Sequence, residues 1–195
     1  MKLVRYGDFG SEKPGVIDTD GRIRDLSNVI PDIDGAFLGR GGLDELKNLD
    51  LDTLPEVSGS PRFGIPINGT PKLICIGLNY SDHAKESNMP IPTEPVVFMK
   101  AISALNGPND DVILPNKSVK GDWEVELAVV ISKTARNVEE SDALSYVAGY
   151  TICNDVSERE WQLEHGSQWS KGKSFDTFAP VGPWLVTKDE IPDPH

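Results

Sequence analysis

DWEVELAVVI, residues 122–131, is the stretch on which the reading of the whole chain turns. In a strand, successive side chains point to opposite faces. Trp123, Val125, Leu127, Val129 and Ile131 then share one apolar face. Asp122, Glu124 and Glu126 share the other, followed there by Ala128 and Val130. Same-face neighbours lie roughly 6.5–7 Å apart along a strand. Carboxylates at that spacing repel, and burying even one without a partner is costly. A bound cation offsets both penalties, so the pattern reads as a metal site at the end of a core strand. The bland alternative is an edge strand whose acidic face is simply solvated.

Outward from this strand the chain stays β-rich. GYTICND is a second apolar strand, ending at Asp155, 29 residues after Glu126. KLICIGLNY (72–80) reads as a buried strand running into a short helix, SDHAKESN, with His83 and Glu86 on one face at i, i+3. VVFMKAI and DVILP are further strand candidates, and 137–148 suits a helix. SEREWQLEHG is a short helix that puts Arg159 and Gln162 on one face, and KSFDTFAPVGPWLV returns to strand. Residues 1–70 read as a small N-terminal module of two or three short strands, with Asp20-Gly21 as a hairpin turn. Weaker helical stretches follow at 27–38 and 43–49, then a Pro/Gly/Ser-rich linker at 54–70. The remainder, 71–195, forms a second domain. Strands dominate without regular βαβ alternation, which predicts an α+β, β-rich fold over a doubly wound sheet.

Composition narrows the partners. The 195 residues carry 19 Lys+Arg against 31 Asp+Glu, a formal charge of −12, which argues against nucleic acid or an anionic membrane surface. No apolar run approaches the ~18–20 residues of a membrane span, and MKLVRYGDFG lacks the apolar core of a secretory signal. Cys75 and Cys153, 78 positions apart in apolar settings, read as buried thiols of a reducing compartment. A soluble cytoplasmic protein is expected. GRGGLDE (39–45) lacks the Lys-Ser/Thr ending of a phosphate loop and reads as a turn.

Three constellations could carry chemistry. Glu124, Glu126 and Asp155 converge if their strands are neighbours; three oxygen ligands with no His or Cys nearby suit a hard cation, Mg²⁺ first, then Mn²⁺ or Ca²⁺. His83 with Glu86 could take a proton from water, although an i, i+3 pair on a surface helix is ordinary. Cations between Arg159 and Lys173 could bind an anionic substrate or stabilise developing charge. Lys171 and Lys173 alternate across Gly172, so at most one of them faces a site. His165 and His195 lack supporting context and read as surface residues.

Taken in order, these motifs resemble the fumarylacetoacetate hydrolase family. GLNYSDHAKE (77–86) is similar to its His-x-x-Glu segment, implying His83 and Glu86 as a water-activating pair. DWEVELAVVI resembles its Glu-x-Glu metal strand, and YTICNDVSEREWQ (150–162) the segment of the third ligand, Asp155, with Arg159 and Gln162 facing substrate. WSKGKSFDTFAPVGPW (169–184) resembles the segment of the catalytic lysine, here Lys173, which leaves Lys171 a loop charge. The resemblance implies a mixed, β-roll-like C-terminal domain of that family, of which 71–195 is the first part only, behind a small N-terminal domain. It also implies a homodimer and a divalent-metal hydrolase that cleaves a carbon–carbon bond in a 2,4-dioxo acid. Ureidoglycolate lyases and 2-hydroxy-dienoate isomerases or decarboxylases belong to the same family, and this sequence does not choose among them. A truncated, non-catalytic metal- or ligand-binding module is the alternative of another class.

Overall fold

The structure, a computed structural model, describes residues 1–86, 88 and 90–194, apart from the side chain of His83. The expected surface residue His195 lies outside the described residues. The chain opens with β1 (Lys2–Tyr6), β2 (Lys13–Ile17) and β3 (Ile23–Asp25). Asp18 turns the hairpin between β2 and β3: its Oδ1 accepts the amides of Asp20 and Arg22, and Gly21 takes φ +80°, where a side chain would be strained. Two short helices follow, α1 (Gly35–Gly39) and α2 (Gly42–Lys47). The expected helix at 27–38 shrinks to α1. Pro31 has no amide to give and disfavours helix at Ile30, so helix starts only where Asp34 caps the Phe37 amide at 2.7 Å.

From residue 71 onward come β4 (Leu73–Gly77), α3 (Ser81–Glu86), β5 (Val96–Lys100), β6 (Leu105–Asn106), β7 (Gly121–Asp122) and β8 (Val125–Ile131). Then follow β9 (Val147–Asn154), β10 (Ser157–Glu158), α4 (Arg159–Leu163), α5 (Ser170–Lys173) and β11 (Ala179–Thr187). The main sheet runs β3-β2-β1-β11-β9-β8, with β6 added in parallel to β11, so strands of the first seventy residues share a sheet with those that follow. Leu3, Val16, Leu26, Ile30, Ile33 and Phe37 bury against Ala148 and Leu185 in one core. Ala104, Cys153, Val156, Phe178 and Val181 form a second core beneath β9 and β11. β4 and β5 make a separate antiparallel hairpin. The 54–70 stretch is irregular, tied down by Arg62, which donates to Asp110 Oδ1 at 2.7 Å and Glu12 Oε1 at 2.8 Å.

Three expectations change. DVILP forms no strand; the Ile113 amide is spent on Thr177 Oγ1 at 2.8 Å instead of a ladder partner. The expected helix at 137–148 is a 3₁₀ stretch, Glu140–Tyr146, because Val147 onward is drawn into pairing with β8. DWEVELAVVI is also not one unbroken strand. Asp122 pairs with Ser157 in β10, Val125 pairs with Asn154 in β9, and the ladder opens at Trp123–Glu124, opposite Asp155–Val156.

The faces of this strand are inverted relative to the core-strand expectation. Trp123 is 71% and Val125 65% exposed, and Leu127, Val129 and Ile131 are exposed with them. Glu124, Glu126, Ala128 and Val130 make the more buried face. β8 ends the sheet order, so it is an edge strand, but its acids point inward rather than to solvent.

Candidate active site

Backbone register brings the carboxylates together. β8 and β9 are antiparallel neighbours, with Glu126 across from Cys153; just beyond the ladder, the Asp155 amide donates to the Glu124 carbonyl at 2.9 Å. Glu124 and Asp155 are thereby fixed side by side. The Glu124 amide in turn donates to Asn154 Oδ1 at 3.2 Å, which holds the opened ladder in shape.

Lys173 is the centre of the site. It ends α5, is only 2% exposed, and its Nζ donates to Asp155 Oδ2 (2.8 Å), Glu124 Oε2 (2.9 Å) and Ser157 Oγ (2.9 Å). Phe98 of β5 lies 5.2 Å from the same ammonium. Gly172 makes this reach possible. A Cβ there would sit 2.4 Å from the Glu158 carbonyl and 2.5 Å from the Gln162 amide, so only glycine lets α5 press onto α4. Lys171, on the other side of Gly172, is exposed and bonds the His165 carbonyl.

Arg159 opens α4 and forms the polar wall. Its Nη1 meets Glu124 Oε1 at 2.6 Å and Gln162 Oε1 at 3.0 Å, and its Nε and Nη2 clamp Asp122 Oδ2 at 2.9 and 2.7 Å. Gln162 is buried beside it. Asp122 thus anchors the arginine at the rim of the site. α4 is capped by Glu158, wholly buried, which accepts the amides of Trp161 (2.9 Å) and Lys120 (2.8 Å). Burial works against its charge, yet these amides hold its carboxyl below the usual range.

The site's electrostatics are uneven. Burial opposes ionisation of Asp155, but the Lys100 and Lys173 ammonium groups outweigh it and hold its carboxyl low. Glu126 has no hydrogen bond or ion pair among the described residues; burial first, then the charges of Glu124 and Asp155, push its carboxyl up to about 7. Burial pushes the thiols of Cys75 and Cys153 up to about 11 and 12, so both stay protonated and unreactive. Cys153 is buried as expected, whereas Cys75 is only half-buried.

One predicted residue stands apart. Glu86 is exposed on α3, and the His83 side chain lies outside the described residues. α3 is nevertheless tied to the acidic strand, because Tyr80, just before it, accepts the Leu127 amide on its hydroxyl at 3.3 Å. His165 is a surface residue whose ring stacks on Trp161 at 5.0 Å. Residues 122–173 also recruit a group that sequence reasoning passed over. Lys100, 2% exposed, donates to Asp155 Oδ1 at 2.6 Å and to the Val156 carbonyl at 3.0 Å. Its signal was alternation: Lys100 lies two residues past Phe98, on the inward face of a strand that otherwise reads as apolar.

Whether this donor set fits a metal can be judged from its chemistry. Three carboxylate oxygens with no nitrogen or sulfur donor suit a hard divalent cation. Among the described residues, no group of three His, Cys, Asp or Glu side chains is gathered tightly enough to hold an ion as it stands. Instead the Lys173 ammonium bridges Asp155 and Glu124 as a stand-in cation, and Glu126 has no ion pair among the described residues, its carboxyl raised despite the nearby Lys173 charge. In the chemistry of its donors, though not in their spacing here, the set fits the group.

Comparison with known proteins gives the family of the chain. Residues 72–195 match the family described as fumarylacetoacetate (FAA) hydrolase C-terminal. A relative from Burkholderia lata, named in general terms as a hydrolase, is 60% identical over all 195 residues, which span 69% of its length. Fumarylacetoacetate hydrolase from Exiguobacterium antarcticum superimposes with a TM-score of 0.82 at 34% identity, covering 97% of this chain and 67% of that one. Maleylpyruvate hydrolase from Sphingobium sp. SYK-6, solved with manganese(II) and pyruvate, gives 0.78 at 28% identity, over 100% and 70% of the two chains. The 5-carboxymethyl-2-hydroxymuconate delta-isomerase from Mycobacterium smegmatis gives 0.68 at 31%, over 96% and 66%. The open, β-rich fold is that of the fumarylacetoacetate hydrolase C-terminal domain, a scaffold of hydrolases and isomerases. This chain belongs to the fumarylacetoacetate hydrolase family.

Proposed function

We propose that this protein is a divalent-metal-dependent hydrolase that cleaves a carbon–carbon bond in a 2,4-dioxo acid of the acylpyruvate or diketo sugar-acid type. The observation that carries the reading is Lys173. Its buried ammonium is shared by Asp155 and Glu124, while Glu126 turns onto the same face without a partner. Glu124, Glu126 and Asp155 would hold the cation, Mg²⁺ or Mn²⁺, which supplies Lewis-acid polarisation of the 2-oxo acid end of the substrate. The manganese and pyruvate of the Sphingobium relative support that choice of metal and product class.

Arg159 and Gln162 of α4 would take the substrate carboxylate, Arg159 already being oriented by Asp122. His83 would remove a proton from water, with Glu86 orienting the imidazole. Water oxygen bonds to the distal carbonyl carbon, and the C–C bond to the methylene breaks. Its electron pair stays with the pyruvate fragment as an enolate. Lys173 would stabilise the developing negative charge and give the methylene carbon its proton. The products are a carboxylic acid and pyruvate or its substituted analogue. Isomerisation of a 2-hydroxy-dienoate is the second reading, favoured by the likeness to the Mycobacterium smegmatis isomerase.

The test is to load the purified chain with Mg²⁺ or Mn²⁺ and follow pyruvate release from acetylpyruvate and fumarylpyruvate. Glu124→Ala and Asp155→Ala are each expected to lower turnover by at least about a hundredfold. If these acids persist while a 2-hydroxy-dienoate is isomerised, the second reading replaces the first. A chain that binds the ion but transforms none of them is a binding module.

A further inference from the structure

Two ammonium groups sit on the Asp155 carboxylate, and they differ in what else they can hold. Lys173 Nζ bonds Oδ2 at 2.8 Å but also reaches Glu124 Oε2 and Ser157 Oγ, so it can leave Asp155 and keep partners. Lys100 approaches from the opposite wall, at the end of β5, and bonds Oδ1 at 2.6 Å. Apart from the Val156 carbonyl at 3.0 Å, it has no other hydrogen-bond or ion-pair partner among the described residues, and its side chain is 0% exposed. Releasing this carboxylate would leave the buried ammonium without a counter-charge, which is costly. Oδ1 is therefore the oxygen held by Lys100, and Oδ2 is the one shared with Lys173, which has other partners.

We propose that Lys100 is a positioning and specificity-determining residue: by reserving Asp155 Oδ1 it confines that carboxylate to one-oxygen binding of the cation. The proposal rests on the reading of Glu124, Glu126 and Asp155 as the metal-holding set. Its consequence is selectivity. Ca²⁺ takes six to eight oxygens and readily accepts both oxygens of one carboxylate, whereas Mg²⁺ demands an octahedron with single-oxygen donors. Mn²⁺ also accepts an octahedral oxygen shell. Lys100 thus closes the two-oxygen option that would favour the larger ion.

Calorimetric titration of the 195-residue chain with Mn²⁺ alone and Ca²⁺ alone tests this. The wild-type chain is expected to bind Mn²⁺ at least about tenfold more tightly than Ca²⁺. Lys100→Met frees Oδ1, and the Mn²⁺/Ca²⁺ affinity ratio is expected to fall roughly tenfold. Lys100→Arg, which returns a cationic donor to Oδ1, is expected to restore it. Circular dichroism checks that each variant is folded. A purely structural role would lower both affinities together and leave the ratio unmoved, and that result overturns the proposal. Equal wild-type affinities overturn it as well, and need no variant to fold. Failure of the wild type to bind either ion removes the three-carboxylate reading itself, a result distinct from binding with unaltered selectivity.

Discussion

At the scale of single residues, the site is a problem in charge placement. Asp155 has two ammonium groups, Glu124 has an arginine and a lysine, and Glu126 has none. Because its folded carboxyl is raised from 4.5 to about 7, the folded chain holds more protons than the unfolded chain across that interval. Stability should therefore fall as pH rises through it, opposite in sign to Asp155, whose lowered carboxyl contributes stability that is lost only in acid. In a metal chelator, the melting temperature of the chain is expected to drop between about pH 5 and pH 7.5. Glu126→Gln should flatten that drop, since the amide neither ionises nor repels Glu124. Parallel profiles for the two proteins would show that Glu126 is not the strained acid. The three carboxylates were legible because each lies on or at the end of a locally patterned strand, whereas Lys173 was told from Lys171 only by the family resemblance. Lys100 was not legible, because one lysine at the end of an apolar strand looks the same whether it meets solvent or a buried acid fifty-five residues away.

Among elements, the decisive contact is α5 against α4. Neither helix is long enough to be stable alone: α4 has five residues and α5 four. Their geometry comes from the Glu158 cap and from the close approach at Gly172. Gly172→Ala places a methyl against backbone atoms that no rotamer change can move. It is expected to cost about 1–3 kcal/mol in urea denaturation and to shift Lys173 off Asp155. Metal-dependent turnover should then fall further than Lys171→Ala makes it fall, Lys171 being an exposed neighbour. An unchanged denaturation midpoint would mean that the helices part at little cost. The spacing of Lys171 and Lys173 predicted that at most one of them faces a site, the family resemblance pointed to Lys173, and the packing buries Lys173 and leaves Lys171 exposed. The expected helix at 137–148 failed for a related reason. Pairing of Val147 onward with β8 outweighs a modest local helix preference.

For the whole molecule, the exposed apolar face of β8 is the dominant surface feature. Trp123, Val125, Leu127, Val129 and Ile131 are exposed together, with Ile152 of neighbouring β9 beside Leu127. An edge strand with such a face is prone to pair or to bury itself against another chain. The 195-residue chain is expected to self-associate with rising concentration in sedimentation velocity and to bind a hydrophobic dye. Val125→Lys with Val129→Lys should reduce both while leaving the circular dichroism spectrum unchanged. A dilute, dye-silent monomer would show that this face is tolerated in water. Among the described residues, no helix is long and apolar enough to cross a membrane.

Local sequence was sufficient for most of the strands, though not for DVILP, and for the β2–β3 hairpin, because alternation and turn residues are properties of short segments. It also marked DWEVELAVVI as a strand in which acids needed a cation. Which face of that strand turns inward was decided by tertiary structure alone. Alternation separates two faces but carries no sign; the sign is set by what packs against them. Here Lys173 reaches Glu124 from α5, so the acidic face is the more buried one, while Val125 and Val129 stay exposed. A charge pair with a residue 49 positions away along the chain set that sign against the rule that apolar faces go inside.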